Sequence, residues 1–225
     1  MFTMGPPLWG GDSDPLFGSV RALFHLDNSL TDNSTTGTVA TQSNVTFSNS
    51  IVKPGFAFSG NFTHASNDAS VTLPSSTALA VGSGDFTVEF WFYPTVLTSG
   101  LYFVGGDGAT SDIWFYIASG ATLGCHVLGQ ETFSVGPTFT VNTWHHVAVS
   151  KTGIVARVSL NGALVFSFTS NTGTSGATML WTIGSTPLAG AGSGGRCYID
   201  EFRLTVGAGR YPSTFTPPAA PFPNA

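Results

Sequence analysis

The sequence predicts an all-β protein, a sandwich of two antiparallel sheets, and three observations predict it. The stretch Trp144 to Phe168, WHHVAVSKTGIVARVSLNGALVFSF, holds three extended segments divided by Thr152-Gly153 and Asn161-Gly162. Asn-Gly best accepts positive φ at both centres of a type I′ turn, so the unit reads as a three-stranded meander. Apolar residues also recur with a period of two: in IVARVSL, Ile154, Ala156, Val158 and Leu160 share one face, and Val155, Arg157 and Ser159 the other. Composition is the third observation: 19 Phe and 28 Gly stand against only 8% charged residues among 225. Aromatic and β-branched side chains suit strands and glycine relieves turns, whereas helices would bring Glu, Lys and Arg. A meander cannot bury its apolar face alone, so the rest of the chain must extend that sheet and supply a second to cover it. A single all-β domain can be this long.

In chain order, residues 1–15 mix Pro6, Pro7, Gly10, Gly11 and Pro15 with Phe2, Met4, Leu8 and Trp9. Proline and glycine exclude a regular element, and the apolar side chains need a surface, either a partner's or the chain's own sandwich. VRALFHL (20–26) reads as a strand and DNSLTDNSTTG as a loop. Asp27, Asn28 and Asp32 in that loop offer oxygen ligands to calcium, with turn capping as the competing use. TVATQSNVTF, GFAFSG and ASVTL continue as short strands, with SGNFTHASNDA a polar loop.

DFTVEFWFYP (85–94) places Phe86, Val88, Phe90 and Phe92 on one face and Thr87, Glu89, Trp91 and Tyr93 on the other. Two aromatic faces imply a central strand, which Pro94 ends. LYFVGG, DIWFYIAS, ATLGCHVLG and ETFSVG follow as strands, and after the meander come GATMLWTIGS and RCYIDEFRLTV. Residues 207–225 carry too many prolines for a central strand and read as an irregular belt whose Tyr211, Phe215 and Phe222 must pack on the sandwich or a partner. The expected division is therefore an arm at 1–15, a sandwich at 16–206 and a belt at 207–225.

A net charge of −5 thinly spread gives no basic footprint for nucleic acid or an anionic membrane. No run of eighteen apolar residues is present to span a bilayer, and the N-terminus lacks the basic start and apolar stretch of a secretory signal. Two cysteines, Cys125 and Cys197, are too few for a disulfide framework; a bridge and two buried thiols both stay open.

The order of DPLFGSVRALFHLDNS, GSGDFTVEFWFYPT, WHHVAVSK, the NG turn, an IGS strand, IDEFRLT and RYPSTFTPPAAPFP resembles the laminin-G-like members of the concanavalin A-like lectin/glucanase superfamily. It is similar in particular to the version in tailed-bacteriophage virion proteins, over residues 14–223. The resemblance implies a jelly roll of two curved antiparallel sheets, usually a binding or structural module. Relatives commonly carry Asp in an FDG-type turn where this chain has FSG with Ser59, which puts a cation site there in doubt. IDEFRLT keeps Asp200 and Glu201; Asp200, on the side of Tyr198 and Phe202 in a regular strand, is a third calcium candidate beside Asp27 and Asp32, or an acceptor for a loop.

The superfamily includes retaining glycosidases, whose two carboxyl groups stand ~5 Å apart, as acids two residues apart on a strand do. Only Asp12 and Asp14 have that spacing, in the arm. Glu89 stands alone, and Glu201 has only Asp200, facing oppositely. The adjacent His145 and His146 also face opposite ways and cannot chelate one ion together; one is expected inward and one at the surface. No P-loop, zinc pattern or Ser-His-Asp spacing appears.

The expected function is accordingly a non-enzymatic structural component of a phage virion, a capsid decoration or fibre-like protein at the virion surface after synthesis in the host cytoplasm. Its arm and belt (Phe2, Met4, Leu8, Trp9, Tyr211, Phe215 and Phe222) would meet capsid or tail proteins or further copies of itself, without a cofactor. The alternative is an adhesin module whose Trp91, Trp114 or Trp181 stacks on a glycan, with core packing the competing use of each Trp.

Overall fold

The computed structural model describes residues 13–64, 66, 68–107, 113–127, 130–169, 177–186 and 194–225, the side chains of 130–135 excepted. Fifteen strands are assigned: β1 Val20–Phe24, β2 Thr41–Ser43, β3 Thr46–Ser48, β4 Ser59–Asn61, β5 Ser70–Ser76, β6 Phe86–Pro94, β7 Tyr102–Asp107, β8 Ile113–Ile117, β9 Thr122–Val127, β10 Gln130–Thr138, β11 His145–Thr152, β12 Val155–Leu160, β13 Ala163–Thr169, β14 Met179–Ile183 and β15 Cys197–Val206. They form an eight-stranded sheet ordered β13-β12-β11-β6-β15-β4-β3, with β1 also on β15, and a seven-stranded sheet ordered β10-β9-β8-β7-β14-β5-β2. Every pairing within the two sheets is antiparallel, as in a concanavalin A-like jelly-roll sandwich. Among the described residues no helix is long and apolar enough to cross a membrane.

The core lies between the sheets and is built on phenylalanine. Phe86, Val88, Phe90 and Phe92 of β6 point into it, as their alternation requires, and meet Phe103 and Phe115 from the other sheet. Phe92 stacks on Phe103 at 4.1 Å, and Phe90 meets Phe115 edge-on at 5.3 Å; such pairs add ~0.5–1.5 kcal/mol each beyond burial. Cys125 and Cys197 are buried free thiols, one in each sheet.

The central hairpin forms as its turn chemistry demands, with Asn161 at φ 53° and Gly162 at φ 79°. Ile154 departs from expectation. The reversal at Gly153 takes it out of β12 and leaves it 58% exposed, while Ala156, Val158 and Leu160 keep the core face. VRALFHL stops at Phe24, since Leu26 and Asn28 both take positive φ. TVATQSNVTF is two strands: Asn44, at φ 53°, breaks it, and β2 joins the seven-stranded sheet while β3 joins the eight-stranded one.

Strand β15 holds a fourth departure. Asp200 pairs with Trp91 and Arg203 with Glu89, so Glu201 and Phe202 together oppose Phe90. This is a β-bulge, with Glu201 at φ 53° as the extra residue. Alternation breaks there: Tyr198, Asp200 and Arg203 face outward while Ile199, Phe202 and Leu204 enter the core. Asp200 therefore does not share a face with Phe202.

After β15 the chain crosses back over the outer face of the eight-stranded sheet. Gly207 donates to the Asp85 carbonyl at 2.7 Å, and Phe215 to the Gly162 carbonyl at 3.0 Å. Phe222 packs with Val20, Leu23 and Phe17, and the Asp14 amide donates to the Ala225 carbonyl at 2.6 Å. The belt thus lies on its own sandwich.

Candidate functional site

Beneath the belt, the outward positions of β6, β11 and β15 are polar and closed. Arg203 Nε and Nη2 donate to Glu89 Oε1 at 2.9 and 2.7 Å, Nη1 reaches Asp14 Oδ2 at 3.1 Å, and Arg210 grips both Asp14 oxygens at 2.9 and 2.7 Å. Tyr211 donates its hydroxyl to Glu89 Oε2 at 2.6 Å, and His146 Nε2 lies 3.3 Å from the same oxygen. Burial alone would raise the Glu89 carboxyl, but the guanidinium of Arg203, with His146 and Arg210, outweighs it and holds Glu89 far below the usual carboxylate range. The carboxylates and guanidinium groups of this network satisfy one another and fix the belt's path; each charge would be costly unpaired. The outward histidine, expected at the surface, is fully buried because the belt covers it: the Phe215 ring lies 5.6 Å from His146. His145, the inward one, is held by the Thr140 backbone and Asn161.

The next cluster joins β1, the 51–58 loop and the bulge. His25 Nδ1 lies 2.7 Å from Glu201 Oε1 and Nε2 lies 2.7 Å from Asn224 Oδ1, while Phe222 N–H donates to Glu201 Oε2 at 2.7 Å. Burial would lower His25, but the hydrogen bond and charge of Glu201 prevail and raise it. Asp200 is wholly buried; its Oδ1 accepts the Glu201 N–H at 3.0 Å. Burial, with the charges of Glu201 and Asp27, pushes Asp200 up to about 9, so at neutral pH it is a carboxylic acid. Lys53 lies over the rings of Phe56 and Trp91, at 4.3 and 4.4 Å, and burial lowers its pKa.

The carboxylates of this face are engaged in holding the chain: Glu89, Asp14 and Glu201 each use both oxygens on protein donors. Asp12, the other half of the closely spaced pair, lies outside the described residues. Of the calcium candidates, Asp32 accepts from the backbone N–H groups of Leu23, Ser34 and Thr38, and Asp27 from that of Phe58. Among the described residues no group of three His, Cys, Asp or Glu side chains is arranged to hold a metal ion. Ser59, at the FSG turn, is buried and donates to the Ile51 carbonyl at 2.5 Å. Tyr211 and Phe222 are buried on the chain's own sheet, Phe215 is partly exposed and stacks on Tyr211 at 3.6 Å, and Phe2, Met4, Leu8 and Trp9 lie outside the described residues.

The outer face of the seven-stranded sheet is different: it carries hydroxyls and aromatic rings, of which Trp114, His126 and Tyr102 are partly exposed while Tyr116, Thr182 and Thr186 are buried. In β8 the inward Ile113, Phe115 and Ile117 leave Trp114 and Tyr116 outward, and in β9 the inward Leu123, Cys125 and Val127 leave Gly124 and His126 outward. Trp114 pairs across strands with His126, their rings stacked at 4.0 Å and 16°; Tyr116 lies 5.4 Å from Tyr102. Tyr116 pairs with Gly124, and a Cβ there would strike the Tyr116 ring, so glycine is what lets the ring lie flat on the sheet. One cross-strand row runs Thr41, Thr72, Thr182, Gly105, Trp114, His126, with Thr186 over Gly105. Of the three tryptophans named as sugar-stacking candidates, Trp181 is core, its indole bound to the Leu79 carbonyl at 3.1 Å; Trp91 lies under Lys53; Trp114 alone stands partly exposed on this face. His126, Tyr102 and Tyr116 are not among the expected residues, although the alternation of IWFYI and LGCHV marks the side of Tyr116 and His126.

The sequence model of the concanavalin A-like lectin/glucanases superfamily matches residues 65–208. No curated protein matches the chain. Among solved structures, domain 4 of AbnA, a GH43 extracellular arabinanase from Geobacillus stearothermophilus, in complex with arabinotriose, is similar at TM-score 0.60 and 18% identity, covering 85% of this chain and 94% of that one. The binding domain of Paraclostridial Mosquitocidal Protein 1 is similar at TM-score 0.58 and 13% identity, covering 87% and 50%. A botulinum neurotoxin type C structure, described for cell entry dependent upon interaction with two ganglioside molecules, is similar at TM-score 0.62 and 15% identity, covering 87% and 49%. The chain spans about half the length of the two toxin chains. At these identities the likeness is one of fold.

Proposed function

The chain belongs to the concanavalin A-like lectin/glucanases superfamily, and from that premise we propose that it is a non-catalytic glycan-recognition module binding on the outer face of its seven-stranded sheet. The observation that carries this reading is the row in which Thr41, Thr72 and Thr182 lead to the stacked Trp114 and His126. A sugar presents an apolar C–H face and a rim of hydroxyls; the partly exposed Trp114 ring and, further along the same row, the accessible Thr41 and Thr72 hydroxyls answer both. Two similar structures carry the same ligand class in their descriptions, arabinotriose in one and gangliosides in the other. Against catalysis speaks the use of Glu89, Asp14 and Glu201 as anchors of the belt.

Screening the intact chain on an array of microbial and mammalian glycans tests this. A specific hit weakened about tenfold or more by Trp114→Ala, the equivalent of ~1.4 kcal/mol, is the expected result. A blank array overturns it.

The virion setting expected from the sequence is supported by its ordered motifs, including the RYPSTFTPPAAPFP ending, and is compatible with a glycan-binding role. Tyr211 and Phe222 are already buried against the sandwich, so any capsid, tail or self contact of this kind would fall to the partly exposed Phe215 and to the arm residues Phe2, Met4, Leu8 and Trp9. Immunogold labelling of particles with antibody to the chain tests that setting.

A further inference from the structure

The belt covers the outer face of the eight-stranded sheet only in part. The row at Glu89 and Arg203 lies beneath Tyr211 and Phe222, and the row at His146, Trp91 and Asp200 beneath Phe215 and Lys53. One step further along the strands, Tyr93 pairs with Tyr198, Tyr198 with Asn61 and Asn61 with Thr46, while Trp144 immediately precedes β11 beside Tyr93. There Tyr93 lies 5.3 Å from Trp144 and 5.8 Å from Tyr198, and all three rings are partly exposed. No hydrogen bond within the described residues engages the Tyr93 or Tyr198 hydroxyl or the Trp144 indole N–H.

We propose that Tyr93, Trp144 and Tyr198, flanked by Asn61 and Thr46, form a second carbohydrate-binding platform, on the opposite side of the sandwich from the Trp114 row. Tyrosine and tryptophan left at a surface offer an apolar ring and a polar tip together, and three of them within one row give a contact area that a single stray aromatic does not. The ligand class follows from charge. The row contains no acid or base; Lys53, over Trp91 in the adjoining row, and the exposed Arg196, whose carbonyl accepts from Thr95 Oγ1 at 2.7 Å, border it. A nucleic-acid strand would stack on such rings but needs a basic groove along its phosphates, which a chain with 7 Lys and Arg against 12 Asp and Glu does not offer. A neutral ligand rich in hydroxyls fits both the rings and the unengaged donors. Two faces per chain would make the module bivalent, so that a clustered glycan is held more tightly than either face holds it alone.

This inference shares its ligand class with the proposed function but names a different site, and variants separate the two. Wild type, Trp114→Ala and Trp144→Ala are compared on the glycan array and then by titration with the free oligosaccharide of each hit; the neutral arabinotriose and lactose are titrated in any case. Tyr198→Phe, which keeps the ring and removes the hydroxyl, guards against a Trp144→Ala chain that fails to fold. The expected result is a binding component that survives Trp114→Ala, falls at least tenfold in affinity with Trp144→Ala and falls severalfold with Tyr198→Phe. Binding abolished by Trp114→Ala and untouched by Trp144→Ala and Tyr198→Phe overturns the platform and leaves the proposed function standing. Binding lost with Trp144→Ala or Tyr198→Phe and indifferent to Trp114→Ala upholds the platform and overturns the first site. No binding by the wild type overturns both.

Discussion

Tyr211, from the belt, donates its hydroxyl to Glu89 Oε2 at 2.6 Å, at the middle of the central strand β6. The acid that looks most anomalous in the aromatic segment DFTVEFWFYP is thus the point to which the last part of the chain is tied.

Tyr211→Phe removes one donor to a buried carboxylate and should cost ~1–3 kcal/mol. Glu89→Ala leaves Arg203 buried without its main partner and should cost ~3–5 kcal/mol. Urea unfolding of both variants measures the difference, and equal losses would mean that the ion network does not hold the belt.

Stability should depend on pH through His25. Its folded pKa is raised above the unfolded value by Glu201, so its contribution is fully present below the unfolded value and fades as pH rises through the folded one. Glu201, Asp27 and, at a distance, Asp200 and Lys53 face this cluster, and Asn224 completes it. Hydrogen exchange at the Phe222 amide, which Glu201 accepts, should quicken across that window. His25→Ala should flatten the response.

Asp200→Asn should stabilise the protein at neutral and mildly alkaline pH. The folded state holds a proton that the unfolded state has released, so wild-type stability declines between the model-peptide value of 3.8 and about 9, and the amide escapes that decline. A gain on the order of 1–3 kcal/mol at pH 8 is expected, read as a higher Tm; a variant less stable than wild type at that pH contradicts the assignment of a neutral acid.

Gly162→Ala should destabilise by ~1–3 kcal/mol through backbone strain, and Asn161→Gly by ~1–3 kcal/mol through loss of the Oδ1 that accepts the His146 N–H at 2.9 Å. Gly162 has φ 79°, and a Cβ on it would collide with the Phe215 carbonyl, so the substitution strains the hairpin and lifts the belt together. Thermal melts of the two variants test the pair.

Much of the fold is legible because alternation is local. The four inward residues of β6 and the Asn161-Gly162 turn follow from spacing and turn chemistry alone. What the period of two does not reveal is where it slips. Nothing in RCYIDEFRLTV marks Glu201 as the residue that leaves the pleat, and Asp200 was consequently placed with Phe202. Likewise Ile154 fits the strand pattern until Gly153 takes it for the turn. The Glu89, Arg203, Asp14 and Arg210 network unites residues up to 196 positions apart, and contact at that range has no local signature. A signal was nevertheless present: in a chain with 8% charged residues, a glutamate and an arginine inside its most apolar strands need partners. For the candidate site, Trp114 was legible as one of three tryptophans; its separation from Trp91 and Trp181 needed the cover above each.

The bulge carries a consequence for how this strand tolerates changes in length. Removing Glu201 would leave Asp200, Phe202 and Arg203 alternating normally, each on the side it already occupies, whereas excising a residue of β15 outside the bulge turns the following side chains inside out. The residue that the strand can lose with every other side chain kept on its own face is also the one that grips Phe222 and His25. A lineage that dropped that residue would keep its sandwich and unfasten its tail.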